Sequence, residues 1–343
     1  MANYRSKTWL YRWLLQTRQH KTSGFTLTEV LISMVVAGIV ISGLLYLVVE
    51  LLRIDRREIA LEQVQRDMQR SIDYIADDLR EAVYVYPSPA TITTEIEALD
   101  AEIANGAVPV LAFWRPDPVE ATLPADCSTE GSADDETTCE LLKTRGATYS
   151  LVVYYQEPRD AASAWEGDTT IRRYELSQYP ALDTATGAAR YVVAAGYDDP
   201  INENGSNFEA WEPSATPTAD TNKKVLVDYV DDIDLAAAPA DAVDCRDLVF
   251  SLNSPLTGET DVNADDYNYV LAPADATDET GFFACIREPE AVGLFRATQD
   301  IYLFLRGDTS AAGNALLPAG EGSRFPVLQT QVKLGGVIDR DGE

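Results

Sequence analysis

Between Phe25 and Val49 the sequence is almost wholly apolar, and Glu29 is its only charged residue. A helix of that length reaches about 37 Å at roughly 1.5 Å per residue, enough to cross a hydrocarbon core of about 30 Å. The flanks predict a direction. Arg5, Lys7, Arg12, Arg18 and Lys21 precede the run with no acid among them, whereas Glu50 to Glu58 sets three Arg against three acids. That Lys/Arg bias predicts a leader held in the cytoplasm and a C-terminal bulk sent across the inner membrane into the periplasm. Glu29 needs its own explanation, because a carboxylate at that depth costs a few kcal/mol on insertion scales. It is retained where it gains a cation. Cutting the chain after Gly24 would create one, a new amine on Phe25 near the Glu29 of a neighbouring copy. The bland alternative is a Glu29 that sits at the interface and snorkels to water.

Gly24-Phe25-Thr26-Leu27-Thr28-Glu29 ahead of an apolar run, behind a basic leader, resembles the type IV prepilin class. The resemblance implies that prepilin peptidase cuts after Gly24 and N-methylates Phe25. It also implies that Glu29 pairs with a neighbour's amine during assembly. Many members carry a proline about two-thirds along the run, and none lies between Phe25 and Tyr86 here. Gly38 and Gly43 are the weak points instead, each costing about 1 kcal/mol relative to Ala in a helix. They allow either local melting or close helix packing.

Beyond Leu52 the pattern turns amphipathic. Val64, Met68, Ile72, Ile75, Leu79 and Val83 fall at steps of three or four and form one apolar stripe ending near Tyr86. Glu62 with Arg66 and Asp67 with Arg70 add surface pairs, and Pro87 and Pro89 predict the stop. The expected organisation is a leader at 1–24, a membrane or filament-core helix at 25–52, its amphipathic continuation at 53–86, and a β-rich extracytoplasmic domain at 87–343. The stripe is expected to pack under that domain and to meet other subunits.

Charge and residue usage narrow the chemistry. The chain has 27 basic and 56 acidic residues, a net −29, and without the leader's five basic residues the balance is 22 − 56 = −34. Such a surface argues against nucleic acid, where Lys/Arg must replace counterions. The only histidine is His20, in the leader, so a processed chain has no Ser-His-Asp or Cys-His catalysis and no His-ligated metal. Cys127, Cys139, Cys245 and Cys285 lie on the translocated side without a C-x-x-C motif, and disulfides are the default there. Three connectivities exist; Cys127–Cys139 with Cys245–Cys285 is the favoured one.

Strand-like runs rich in Val, Tyr, Phe and Ile recur at 108–114, 149–156, 170–176, 191–194, 225–230, 248–252, 282–286, 300–305 and 327–334. Ala121 to Thr138, Asp198 to Asp220 and Ser254 to Glu279 read as surface loops. The expected class is α+β, one long helix on a mostly antiparallel sheet, with no second domain. Asp261, Asn263 and Asp265 alternate like calcium ligands, but position six is Asp266 and position twelve is Ala272, so this is no EF-hand. Asp231, Asp232 and Asp234 form a second calcium candidate; otherwise no cofactor is expected. Trp114, Trp165 and Trp211 are candidate sugar-stacking platforms, with core packing as the bland alternative.

The segment Asp73 to Tyr86, with its Asp78-Leu79-Arg80-x-Ala82-Val83 pattern, resembles the helix end of large minor pseudopilins of the J or W type. Together with Asp55-Arg56-Arg57-Glu58 and the Trp-containing leader, it is most similar to the hormogonium polysaccharide secretion pseudopilins of filamentous cyanobacteria. The resemblance implies a low-copy structural subunit, not an enzyme. Its partners would be prepilin peptidase, other major and minor pseudopilins and, in that narrower group, an exported polysaccharide used in gliding. The alternatives are a minor pilin of a type IV pilus or of a protein-secretion pseudopilus, and a signal-anchored module binding glycan or calcium.

Overall fold

The computed structural model describes residues 24–119, 123–129, 132–160, 164–201, 207–214, 223–238, 241–253, 268–288, 299–309 and 324–334. The chain divides into two units, Met1–Arg56 and Arg57–Glu343. In the first, helix α1 (Leu27–Arg80) begins, and its apolar residues from Leu27 to Leu52 are exposed. It is the one helix, among the described residues, long and apolar enough to cross a membrane, with a mean hydropathy of 2.5 over its best window.

In the second unit the rest of α1 meets two antiparallel sheets. The first runs β1 (Tyr84–Val85), β2 (Val108–Pro118), β3 (Ala147–Pro158), β4 (Thr169–Ser177) and β5 (Lys223–Val230), each strand beside the next. The second runs β6 (Tyr269–Ala272), β7 (Phe282–Arg287), β8 (Asp300–Leu305) and β9 (Leu328–Lys333) in the same way. The layout is the α+β class expected, with two sheets where one was foreseen. Both share a core with the helix: Val64, Met68, Ile72, Ile75 and Leu79 lie against Phe113, Val152 and Ile171 of one sheet and Phe282, Ile301 and Leu303 of the other. At about 2 kcal/mol per buried side chain, the five helical residues contribute about 10 kcal/mol before entropy. The stripe is therefore consumed inside its own domain and is not free for other subunits.

The helix stops earlier than expected, at Arg80 rather than Tyr86. Val83 N–H donates to the Trp114 carbonyl at 2.8 Å, and Tyr86 N–H to that of Ala112 at 2.9 Å. The Val-Tyr-Val-Tyr run suits a pleated edge better than a helix. Val83 thus leaves the stripe and is half-buried on the other side of the first sheet.

The central strands of each sheet are covered on both faces. The outer face of the first (Trp114, Leu151, Val153, Tyr174) packs under helices α2 (Pro89–Thr93) and α3 (Glu97–Ala104) and the segment carrying Trp211. The outer face of the second (Phe283, Cys285, Phe304) packs under helix α5 (Cys245–Asn253). Two-sided burial explains why the strands read as continuous apolar runs rather than alternating ones. Three further expectations give way. Residues 248–252 are helical, because Asp244 caps α5 by accepting from Arg246 N–H at 2.9 Å. Residues 191–194 hold no strand, only the end of a 3-10 turn (Gly187–Tyr191) and exposed Val192 and Val193. The foreseen loop at 121–138 contains the start of helix α4 (Ala133–Arg145), capped by Ser132 and closed by Gly146 at φ 73°.

Two polar junctions tie the sheets together. Gln299, just before β8, pairs its amide with both backbone groups of Val85, accepting at 3.1 Å and donating at 3.0 Å. At the other end of β8, Asp231 after β5 is 1% exposed and takes Arg306 and, at 3.3 Å, Arg324. A Cβ on Gly281 would collide with the Asp231 backbone, so this junction needs glycine.

Candidate functional site

The candidate processing and assembly site is built by six residues at the start of α1. Thr26 is the N-cap: its hydroxyl accepts from Glu29 N–H at 3.3 Å, and its carbonyl accepts from Val30 N–H at 3.2 Å. Gly24 and Phe25 precede the helix outside any regular element, with Phe25 77% exposed. Glu29 sits in the first turn, where the helix dipole favours a negative charge. Its carboxylate makes no ion pair among the described residues and looks out over Thr26, Ile32, Ser33 and Val36. The geometry thus leaves an accessible junction, a capped helix start and one unneutralised acid at the head of an apolar helix. No break occurs at Gly38 or Gly43; α1 runs straight through both, and a Cβ at either would meet nothing.

The other candidates are placed differently. The disulfides are Cys127–Cys139 and Cys245–Cys285, the favoured pairing. The first pins α4 to a 3-10 turn at Cys127–Thr129, and the second pins α5 to β7. Asp261, Asn263 and Asp265 lie outside the described residues. Asp231, Asp232 and Asp234 do not converge on a cation. The Asp231 carboxylate is taken by two guanidiniums, the Asp232 carbonyl accepts from Gly281, and Asp234 accepts from Thr277. No group of three potential ligands occurs among the described residues. Trp114 and Trp211 are buried edge-to-face at 5.3 Å, so they are core, whereas Trp165 is 43% exposed.

Sequence reasoning missed Asp78. It is a helical carboxylate, 6% exposed, bonded to groups from three strands: Arg115 Nη1 at 2.8 Å, Arg173 Nε at 2.9 Å and the Tyr154 hydroxyl at 2.7 Å. Arg115 also reaches Asp117 at 3.2 Å and Glu175 at 3.1 Å. Burial pushes the Tyr154 phenol up, helped by Asp78, which keeps its proton on the hydrogen bond. Burial alone would raise the Glu175 carboxyl, but the Arg173 hydrogen bond and charge outweigh it and hold it below the usual range. Asp117 goes the other way, raised chiefly by burial. Apart from its place at the head of the Asp78-Leu79-Arg80-x-Ala82-Val83 pattern, its signal in the sequence was an acid one step from the apolar stripe.

A family model described as the prokaryotic N-terminal methylation motif matches residues 19–45. The match supports a type IV prepilin-like protein. It brackets Gly24, Phe25 and Glu29 and covers 27 of the 343 residues, so it bears on the processing and membrane segment. Comparison with curated proteins and with solved structures gives no match.

Proposed function

We propose that this chain is a minor pseudopilin, a structural low-copy tip or initiation subunit of a pseudopilus related to type II secretion and type IV pili. The observation that carries the reading is the methylation-motif match lying on an exposed Gly24–Phe25 junction, with Glu29 behind it making no ion pair among the described residues. Prepilin peptidase cuts after Gly24, Phe25 becomes the methylated amino terminus, and the helix is drawn from the membrane into a filament. Packing of apolar helices drives that step, together with pairing of Glu29 and a neighbour's amine. A large domain with two sheets and long connections fits a position occupied once rather than a repeating shaft. The resemblance of Asp55-Arg56-Arg57-Glu58, taken with the Asp73–Tyr86 helix end and the leader, supports a filament serving polysaccharide export in gliding. The chain then acts as a scaffold and carries out no reaction.

The test is the N-terminal mass of the membrane-extracted protein, in cells with and without the peptidase. A chain starting at N-methyl-Phe25, found only with the peptidase, is expected. An intact leader in both would make this a signal-anchored protein and end the proposal. Glu29→Ala should then be cleaved normally but enter filaments at least about tenfold less, the scale of one lost intramembrane ion pair. Its normal incorporation would refute the pairing step.

A further inference from the structure

The two sheets have four outer edges, and the chain blunts three of them. β1 is two residues long and is completed by Gln299. β6 has only four residues. β5 is irregular in register against β4, and its end is bridged from Val230 to Gly307. β9 is left open. It pairs with β8 over six residues without a register shift, has no proline inside it, and has no neighbour on its other side among the described residues. Leu334 N–H donates to the Gln299 carbonyl at 3.1 Å, so by the antiparallel alternation Leu328, Thr330 and Val332 also turn their backbone groups to β8. Gln329, Gln331 and Lys333 then turn theirs outward. Such an edge is a template for a further strand.

We infer that β9 is a docking edge for an extended segment of another protein, one that carries an acid at its start and an apolar anchor five residues on. A strand added antiparallel to β9 bonds to Gln329, Gln331 and Lys333 through its main chain, and its side chains alternate between the two faces. Those on the inner face continue beside Val332, Thr330 and Leu328. Next to Leu328 lies a cavity of about 270 Å³, between Gln65, Met68 and Gln69 of α1 and Phe325, Pro326 and Leu328. It takes one large apolar side chain, from the residue opposite Leu328. Charge selects the other end. From Arg324 to Leu334 the sequence has no acid, in a chain with 56 of them. Lys333 is exposed, and the Asp300 carboxylate across from it is already bonded by the Tyr269 hydroxyl at 3.0 Å and by Gln331 at 3.3 Å. An acid opposite Lys333 on the added strand meets that ammonium. A second copy is the poorer occupant. Antiparallel pairing of two β9 edges about Gln331 sets Lys333 against Gln329, supplies no acid, and brings together two chains of net charge −29. The α1 stripe is spent within its own domain, whereas this edge offers a partner both backbone bonds and an anchor cavity. It stands whether or not the amino terminus is processed.

The probe is the peptide acetyl-Glu-Val-Thr-Val-Thr-Phe-amide, added to the full chain in detergent micelles with methyl-labelled methionine. Met68 lines the cavity and Met34 lies in the apolar run, so the two methyls separate docking from general contact with the micelle. The Met68 resonance should shift and saturate below about 1 mM peptide, with Met34 unchanged. N-methylation of the two Thr removes the donors aimed at the Gln331 and Gln329 carbonyls and should weaken binding at least about tenfold. Gln329→Pro does the same from the other side, since that N–H faces away from β8 and an edge strand accepts proline there. Lys333→Glu should weaken binding about threefold, and a peptide beginning with Lys should restore it. An unmoved Met68, or an equal shift with the N-methylated peptide, would overturn the inference. So would a chain that ignores the peptide and dimerises, with the dimer lost in Gln329→Pro. Should Gln329→Pro lack a cooperative unfolding transition, the N-methylated peptide decides on the unaltered chain.

Discussion

Gln299 offers a sharp test of how the two sheets are joined. Val85 lies in the two-residue edge strand β1, and its outward N–H and C=O both pair with one side-chain amide, at 3.1 and 3.0 Å. Val85 is fully buried and Gln299 is 6% exposed, so water is a poor substitute for either bond. Gln299→Leu keeps the volume and the apolar stem but leaves both backbone groups without a partner. An orphaned buried group costs about 1–3 kcal/mol, and the leucine recovers part of that through apolar burial, so the net loss should be about 2–4 kcal/mol. For a unit of this size the corresponding fall in Tm is about 3–7 °C. Urea unfolding followed by tryptophan fluorescence measures it, because Trp114 lies in β2 directly beside β1. Gln329→Leu, on the exposed side of β9, is the control and should change stability by less than about 0.5 kcal/mol. A loss below about 1 kcal/mol for Gln299→Leu, matching the control, would refute the idea that one amide completes the pairing of β1.

The two disulfides should differ in worth. Cys245–Cys285 closes a separation of 40 residues and Cys127–Cys139 one of 12, so chain entropy predicts about 4 against about 3 kcal/mol. Paired Cys→Ser variants compared by denaturant melts should rank in that order, and the reverse ranking would place the stabilisation outside chain entropy. The acid limb of the stability curve should carry the signature of Glu175. Its folded-state pKa is lowered, so its contribution is present above the ordinary glutamate value of about 4.3 and is lost as pH falls through the lowered one. Asp117, raised in the fold, has the opposite sign and gains stability as pH falls through its own raised value. Glu175→Gln should therefore flatten the loss below about pH 4, and an unchanged acid limb would show that Arg173 does not hold that carboxyl.

What could be read in the sequence was whatever repeats locally. The processing junction is six adjacent residues, and the helix and its buried stripe follow a 3.6-residue period that needs no knowledge of a partner. The central strands were visible because burial on both faces left unbroken Val, Tyr and Phe runs. Helices α4 and α5 carried legible caps as well, Ser132 with Gly146 and Asp244, but the apolar run in α5 and the polar composition around α4 outweighed them. The groups that set the architecture are of another kind. Asp78 finds its partners 37, 76 and 95 residues away, and Gln299 finds Val85 at a distance of 214. A carboxylate or an amide in isolation carries no trace of such a partner. Within an acidic chain, an acid beside an apolar stripe looks like one more solvated charge until the strands that bring Arg115 and Arg173 to it are in place. The same reasoning separates the two acids that matter here. Glu29 was conspicuous because its surroundings are apolar in the sequence itself, and in the filament we propose its partner comes from another chain. Asp78 was inconspicuous because its surroundings become apolar only on folding, and its partners are already its own.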